Sequence, residues 1–238
     1  MAEGRTEGEL RELQGVSVAS ANVTFQMFNA AFLAGPVSCE SELTQRVLLA
    51  DMHFTSRGLD WAWWMCEDWL EPKVRKRCRQ ILERQGLRHS AELPGMIAPS
   101  LLPPRNGLPK LQIRRVCDAA TRDAFCDIGS VCFHVPVPWF REVFDNDRVW
   151  KNFASYVGYH QGEPVSTAAI VEGPGVVGVY NVATLPGHQR HGFGETVMRH
   201  AIQHSSPGAI VLQSTAAGLR LYERMGFRTI TRVSVYAS

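Results

Sequence analysis

The stretch from Leu93 to Lys110, LPGMIAPSLLPPRNGLPK, holds five prolines and two glycines and shows neither helical nor strand periodicity. Proline fixes φ and has no amide proton, so such a stretch interrupts any regular element. It reads as a linker, residues 93–110, that divides a chain of 238 residues into two small domains, 16–92 and 111–238, after a flexible polar tail over 1–15.

In the first half, Val23 to Leu33 reads as an apolar strand, Ser41 to Phe54 as a helix and Asp60 to Cys66 as a buried strand. Pro72 to Gln85 then has helical spacing, with Gly86 placed to end it. In the second half, Leu111 to Val116 alternates like a strand and Asp118 caps a helix running to about Phe133. A short helix follows near Phe140 to Asp145. Three extended stretches, Phe153 to His160, Val165 to Val171 and Val176 to Leu185, are separated by the turn signals QGEP and EGPG. A helix (Gly192 to His204), a strand (Ala209 to Ser214), a helix (Ala216 to Met225) and a last strand, RTITRVSVY, complete the order. Strands alternating with helices define a mixed α/β class with an α+β-type sheet.

Charge narrows the partners. Lys and Arg number 25 against 23 Asp and Glu, with 12 against 13 before Gly107 and 13 against 10 after it, so neither half is a nucleic-acid-binding polycation. No apolar run reaches the ~18 residues of a membrane span. Met1 to Gln14 has neither the basic start nor the apolar core of a signal peptide, and a cytoplasmic location is expected. Cys39, Cys66, Cys78, Cys117, Cys126 and Cys132 form no C-x-x-C pair and read as buried thiols in a reducing compartment. His200 and His204 lie one helical turn apart without an H-E-x-x-H pattern, so no metal is expected.

The segment richest in chemistry is YNVATLPGHQRHGFGETVMRHAI. A strand ends at Leu185, Pro186 stops it, and Gln189, Arg190, His191, Gly192, Phe193 and Gly194 open a helix. Glycines at such a turn let the backbone approach a ligand, and the free amides of the first helical turn suit a phosphate. The Gln189-x-x-Gly192-x-Gly194 pattern resembles the acetyl-CoA loop of the GCN5-related N-acetyltransferase (GNAT) family. VLQSTAAGLRLYERMGFR is similar to that family's second signature, with Tyr222 and Gly226-Phe227 in place, and the order of elements matches from Leu111 to Tyr236.

The resemblance implies a GNAT acyl-CoA N-acyltransferase fold and transfer of acetyl from acetyl-CoA to a primary amine by direct attack in a ternary complex. The backbone of Val182, Ala183 and Thr184 would run beside the pantetheine arm, with the Val182 amide on the thioester carbonyl. Amides from Gln189 to Glu195 would hold the pyrophosphate, Ser214 would lie where two strands splay, and Tyr222 would protonate the departing thiolate.

The pattern departs at the base, because GVVGVYNVATL contains no Asp or Glu. Tyr180 and Asn181 are poor bases at neutral pH, and Glu172, His160 and His134 are unassigned candidates. One strand follows the last helix where the family has two, so the neighbour comes from the first half or from another subunit, which leaves a homodimer open. Leu82-Glu83-Arg84-Gln85-Gly86-Leu87-Arg88 parallels Tyr222-Glu223-Arg224-Met225-Gly226-Phe227-Arg228, which suggests that the first half is a truncated, degenerate copy of the second. That copy has no glycine loop, and only the second domain is expected to bind acetyl-CoA. Trp61, Trp63, Trp64 and Trp69 read as packing residues. The acceptor is a small-molecule or peptide amine, expected on the side of Phe133, His134, Trp139 and Phe140. The alternatives are a tandem transferase with a larger acceptor and a CoA-binding regulatory or scaffold module without turnover.

Overall fold

A hairpin forms where the sequence suggested a tail. In the computed structural model, which describes residues 8–144, 147–151 and 153–238, β1 (Glu9–Leu13) pairs antiparallel with β2 (Val16–Ser20) around Gly15, whose φ of +77° suits glycine. Leu13 packs on the core and Glu9 lies 3.4 Å from both His53 and Arg57, so these contacts order the segment; the tail residues before 8 lie outside the described ones. The strand expected from Val23 is shorter, β3 (Asn29–Leu33), because a 3-10 turn (Gln26–Phe28) intervenes. Buried Asn29 donates from Nδ2 to the carbonyls of Val23 (2.7 Å) and Asp60 (2.9 Å), which fixes that turn.

After α1 (Glu40–Thr55) and β4 (Ala62–Cys66), the expected Pro72 to Gln85 helix is broken into α2 (Pro72–Arg75) and α3 (Cys78–Arg84) at Arg77, where φ is −116°. The linker expectation fails at its start. β5 (Arg88–Ala98) runs straight through Pro94 and Gly95, and a Cβ at Gly95 would stand 2.5 Å from Thr231 Cγ2, so glycine permits a close strand approach.

The second half follows its pattern more closely: β6 (Gln112–Arg115), α4 (Ala119–Phe133), α5 (Val137–Phe144), α6 (Asp147–Lys151), β7 (Ala154–His160), β8 (Glu163–Gly173), β9 (Val176–Thr184), α7 (Phe193–Gln203), β10 (Ala209–Gln213), α8 (Leu219–Arg224) and β11 (Arg228–Ala237). Asp118 caps α4 by accepting the Thr121 amide at 2.8 Å, while the Thr121 hydroxyl accepts the Asp118 amide in a capping box. Asp145, the expected end of the short helix, lies outside the described residues. α8 starts at Leu219, not Ala216, because Thr215 holds the Gly218 amide in a turn.

Two compact units result. The first takes residues 8–95 together with Thr229–Ser238, and the second takes Met96–Arg228. The boundaries therefore differ from 93–110 and 111–238: β5 contributes to both units, and the last strand leaves the half in which it is encoded. In the first unit the strands run β1-β2-β3-β4-β11 and then β5, with β3 parallel to β4 and β11 antiparallel to it. Tyr236 of β11 is buried with Leu43, Phe54, Trp61, Trp63 and Leu82, which explains why β11 belongs there. In the second unit the order is β6-β7-β8-β9-β10 and then the end of β5, antiparallel from β6 to β9 and parallel between β9 and β10. The end of β5 is thus the neighbour that the sequence left missing.

The two units share a sequence of elements. β1-β2-β3-α1-β4-α3-β5 has the order of β7-β8-β9-α7-β10-α8-β11, so among the described residues the first unit has no counterparts of β6, α4, α5 and α6. All six cysteines are free, and only Cys78 and Cys126 are buried; Cys39 and Cys117 are exposed, which corrects the buried-thiol reading. No helix among the described residues is long and apolar enough to cross a membrane.

Candidate functional site

The site begins where two parallel strands part. β9 and β10 pair only from Val176 with Ala209 to Gly178 with Val211, yet β9 continues to Thr184. Val179 to Thr184 therefore present a strand edge with no strand partner on the β10 side among the described residues. On the other side β9 pairs with β8, and the register slips there: from Thr167 to Ala169 β8 advances two residues while β9 advances three, from Ala183 to Tyr180. The extra residue is a β-bulge at Asn181 and Val182, with Asn181 left-handed at φ +47°. The family resemblance implied a parting of strands near Ser214, but nothing in the sequence signalled the bulge, which depends on pairing between distant segments.

The glycine loop closes one end of this notch. Pro186–His188 form a 3-10 turn, Gln189 Nε2 donates to the Thr184 carbonyl at 3.2 Å, and Arg190 takes φ +65°. Gly192 is the N-cap of α7 at φ +83°, and no side chain caps the helix, so its leading amides are not taken by a cap. A Cβ on Gly194 would lie 3.1 Å from Thr184 Oγ1, so glycine lets α7 lie close to β9. Phe193 is buried, with the rings of His160, His191 and His188 centred 4.9, 5.7 and 6.2 Å away. Glu195 is engaged with Arg199 at 2.8 Å. No group of three metal-binding side chains occurs among the described residues.

Beyond the parting, Ser214 follows β10 with its side chain fully buried and its hydroxyl donating to the Thr215 carbonyl at 2.8 Å. Tyr222 on α8 is 8% exposed, and a Cβ on Gly218 would stand 2.7 Å from its ring. Burial raises the Tyr222 phenol to about 12, so it carries its proton at neutral pH. Its hydroxyl has no hydrogen-bond partner among the described residues.

The candidate bases fare differently. Glu172 is committed, accepting from the amide and hydroxyl of Ser206 at 2.8 Å each, and those bonds lower its pKa. His160 packs on Phe193, and His134 caps the end of α4 at φ +55°. Tyr180 is 41% exposed, its ring lies over Gly178, and desolvation raises its pKa. On the expected acceptor side, Trp139 is 40% exposed, whereas Phe140 is core, stacked on Phe144. Cys132 lies against the Thr184 backbone, and burial pushes its thiol up, away from nucleophilic use at neutral pH.

The first unit closes the equivalent place. Past the β3–β4 pairing the two strands meet again through a bridge between Val37 and Leu70, with the Val37 amide on Trp69 O at 2.8 Å and the Glu71 amide on Val37 O at 3.0 Å. At the start of α1 the Glu42 carboxylate accepts the Ser38 amide at 2.7 Å, and that bond is the main cause of its lowered pKa. The protein's own carboxylate thus stands where an anion would bind. Cavities of about 450 and 380 Å³ in this unit lie away from the glycine loop; in the larger, Asp68 is already paired with Arg75 and Thr231.

Comparison with solved structures places this architecture. The chain is similar to a GCN5-related N-acetyltransferase from Kribbella flavida, with 18% identity over 97% of this chain and 90% of that one and a TM-score of 0.73. It is also similar to one from Sphaerobacter thermophilus (14% identity, 94% and 76% coverage, TM-score 0.62) and to a tandem GNAT protein from the clavulanic acid biosynthesis pathway (10%, 94% and 78%, 0.54). Comparison with curated proteins gave no match. The fold is therefore that of GNAT proteins, in a tandem arrangement whose first copy is truncated. Residues 120–227 match the model of the Acetyltransferase (GNAT) family, and this segment of the chain is a GNAT domain.

Proposed function

We propose that the protein transfers an acetyl group from acetyl-CoA to a primary amine, and that the second unit alone carries the reaction. The observation behind this reading is the notch: β9 continues to Thr184 after its pairing with β10 has ended at Gly178, beside a helix whose N-cap is a left-handed glycine. An extended arm could add to that edge as a strand, and a pyrophosphate could meet the amides of Gln189 to Glu195. The filled equivalent in the first unit supports binding by one unit only.

Acetyl-CoA, when bound, supplies an acetyl group activated as a thioester. The Val182 amide would donate to the thioester carbonyl where negative charge grows. Tyr222 is protonated at neutral pH and would hand its proton to the leaving sulfur, while Ser214 lines the parting of the strands. The acceptor must arrive as a neutral amine, because Val176–Thr184 carries no carboxylate to take its proton. Small-molecule or peptide amines fit the near-neutral charge better than a tRNA acceptor.

A CoA-binding module without turnover is the second reading, favoured by that missing carboxylate. A thiol-release assay with acetyl-CoA over pooled primary amines separates the two. Release with at least one amine class supports transfer, and tight binding without release across the panel supports the module.

A further inference from the structure

We propose that Thr167 is a positioning residue for the transfer: by holding the Asn181 carbonyl it sets the direction of the Val182 N–H. This deepens the acetyl-transfer reading and rests on it. The Thr167 side chain is buried, 1% exposed, and its hydroxyl donates to Asn181 O at 2.8 Å. Asn181 lies in the left-handed region at φ +47°, a conformation that strains most L-residues and that asparagine, after glycine, tolerates well. A planar trans peptide points its carbonyl and the following N–H in opposite directions. Gripping Asn181 O from β8 therefore turns the Val182 N–H away from β8, toward the side that β10 has left.

A second hydroxyl repeats the device one peptide-pair further on. Ser166 is fully buried and donates to Ala183 O at 2.6 Å, with Thr184 Oγ1 2.9 Å away. Adjacent residues of a strand project to opposite faces, so Ser166 and Thr167 hold the bulged strand from both sides. The ladder bonds of Leu185 to Val165 O (3.0 Å) continue the same alternation, with odd-numbered groups toward β8. A bulge held only by backbone pairing would need neither hydroxyl, and a valine at 167 would fill nearly the same volume.

The test compares wild type with Thr167→Val in the full chain, using CoA and acetyl-CoA as probes. Calorimetry gives the two affinities, and the carbonyl carbon resonance of bound [1-13C]acetyl-CoA reports polarisation directly. The expected result for Thr167→Val is CoA affinity within about twofold of wild type, a loss of most of the wild-type preference for acetyl-CoA, and a carbonyl resonance returned toward its free position. Thr167→Ser should restore both. A wild-type resonance in Thr167→Val overturns the proposal, as does an equal loss of CoA and acetyl-CoA binding. Should the valine variant fail to fold, Thr167→Ser against Thr167→Ala isolates the hydroxyl, and identical resonances in that pair overturn it equally. Wild-type protein that binds neither probe overturns the acetyl-transfer reading itself, and this one with it.

Discussion

Leu82 and Tyr222 occupy the same place in the same turn, 140 residues apart. The amide of Leu87 donates to Leu82 O at 3.2 Å and that of Phe227 to Tyr222 O at 3.0 Å. Gly86 and Gly226, at φ +86° and +101°, each donate to the residue three before at 3.1 Å. Both helix ends use a left-handed glycine to release the chain into a strand. The backbone of the repeat is intact while its chemistry is not: Leu82 is an inert core residue and Tyr222 brings a phenol.

Tyr222→Phe keeps the ring and its packing on Phe227 and removes only the hydroxyl that carries the proton. Turnover should fall about 100-fold, the low end for a general acid, with acetyl-CoA affinity within about twofold. Steady-state kinetics beside calorimetry checks this. A rate that stays at wild type removes Tyr222 from the mechanism.

The pH profile should carry the same signature. A phenol raised to about 12 remains a proton donor throughout the neutral and mildly alkaline range, so the rate should rise with pH as the amine loses its proton, with no descending limb below about pH 10. Stability behaves oppositely. The unfolded phenol ionises near 10 and the folded one near 12, so folding loses free energy across that window, and Tyr222→Phe should lose less. Denaturation midpoints at pH 9 and 11 for both proteins test the sign.

The last strand should matter most to the half of the chain farthest from it in sequence. Tyr236 is buried in the first unit's core, and the Ser238 amide donates to Trp61 O at 3.1 Å. Tyr236→Ala should cost about 3–5 kcal/mol, as large-to-small core changes do. Urea unfolding followed by tryptophan emission, which reports Trp61 and Trp63, should show the lower midpoint.

Acid should loosen the same unit. His53 is 7% exposed, and its pKa is lowered first by burial and then by Arg57, with Glu9 opposing. An imidazole kept neutral in the folded state contributes stability above its unfolded pKa, near 6.5, that is lost as pH falls below it. His53→Phe should flatten the stability profile between pH 6.5 and 5, measured by thermal melts in matched buffers.

The sequence was most legible where one residue type serves one local need. Gly192 and Gly194 announced the loop, Asp118 the cap of α4, and the heptamers ending in Arg88 and Arg228 the repeat. It was least legible where segments far apart meet. β5 crosses Pro94 because Gly95 admits Thr231, and β11 joins β4 because Tyr236 fills the first unit's core. Asn181 read only as a poor base, since its value as a left-handed bulge residue emerges from the register of β8 and β9. The aromatic cluster of Phe125, Phe144, Trp150 and Phe153 was similarly hidden, its members being separated by loops.

Calorimetric titration of the full chain with acetyl-CoA, beside Gly192→Val, tests the central claim most directly. Valine at φ +83° is strained, and its Cβ would stand 3.1 Å from Pro109 Cδ, at the N-cap that should face the pyrophosphate. One site per chain in wild type, weakened at least tenfold in the folded variant, is the predicted result. No binding, two sites per chain, or an affinity indifferent to Gly192→Val would contradict it.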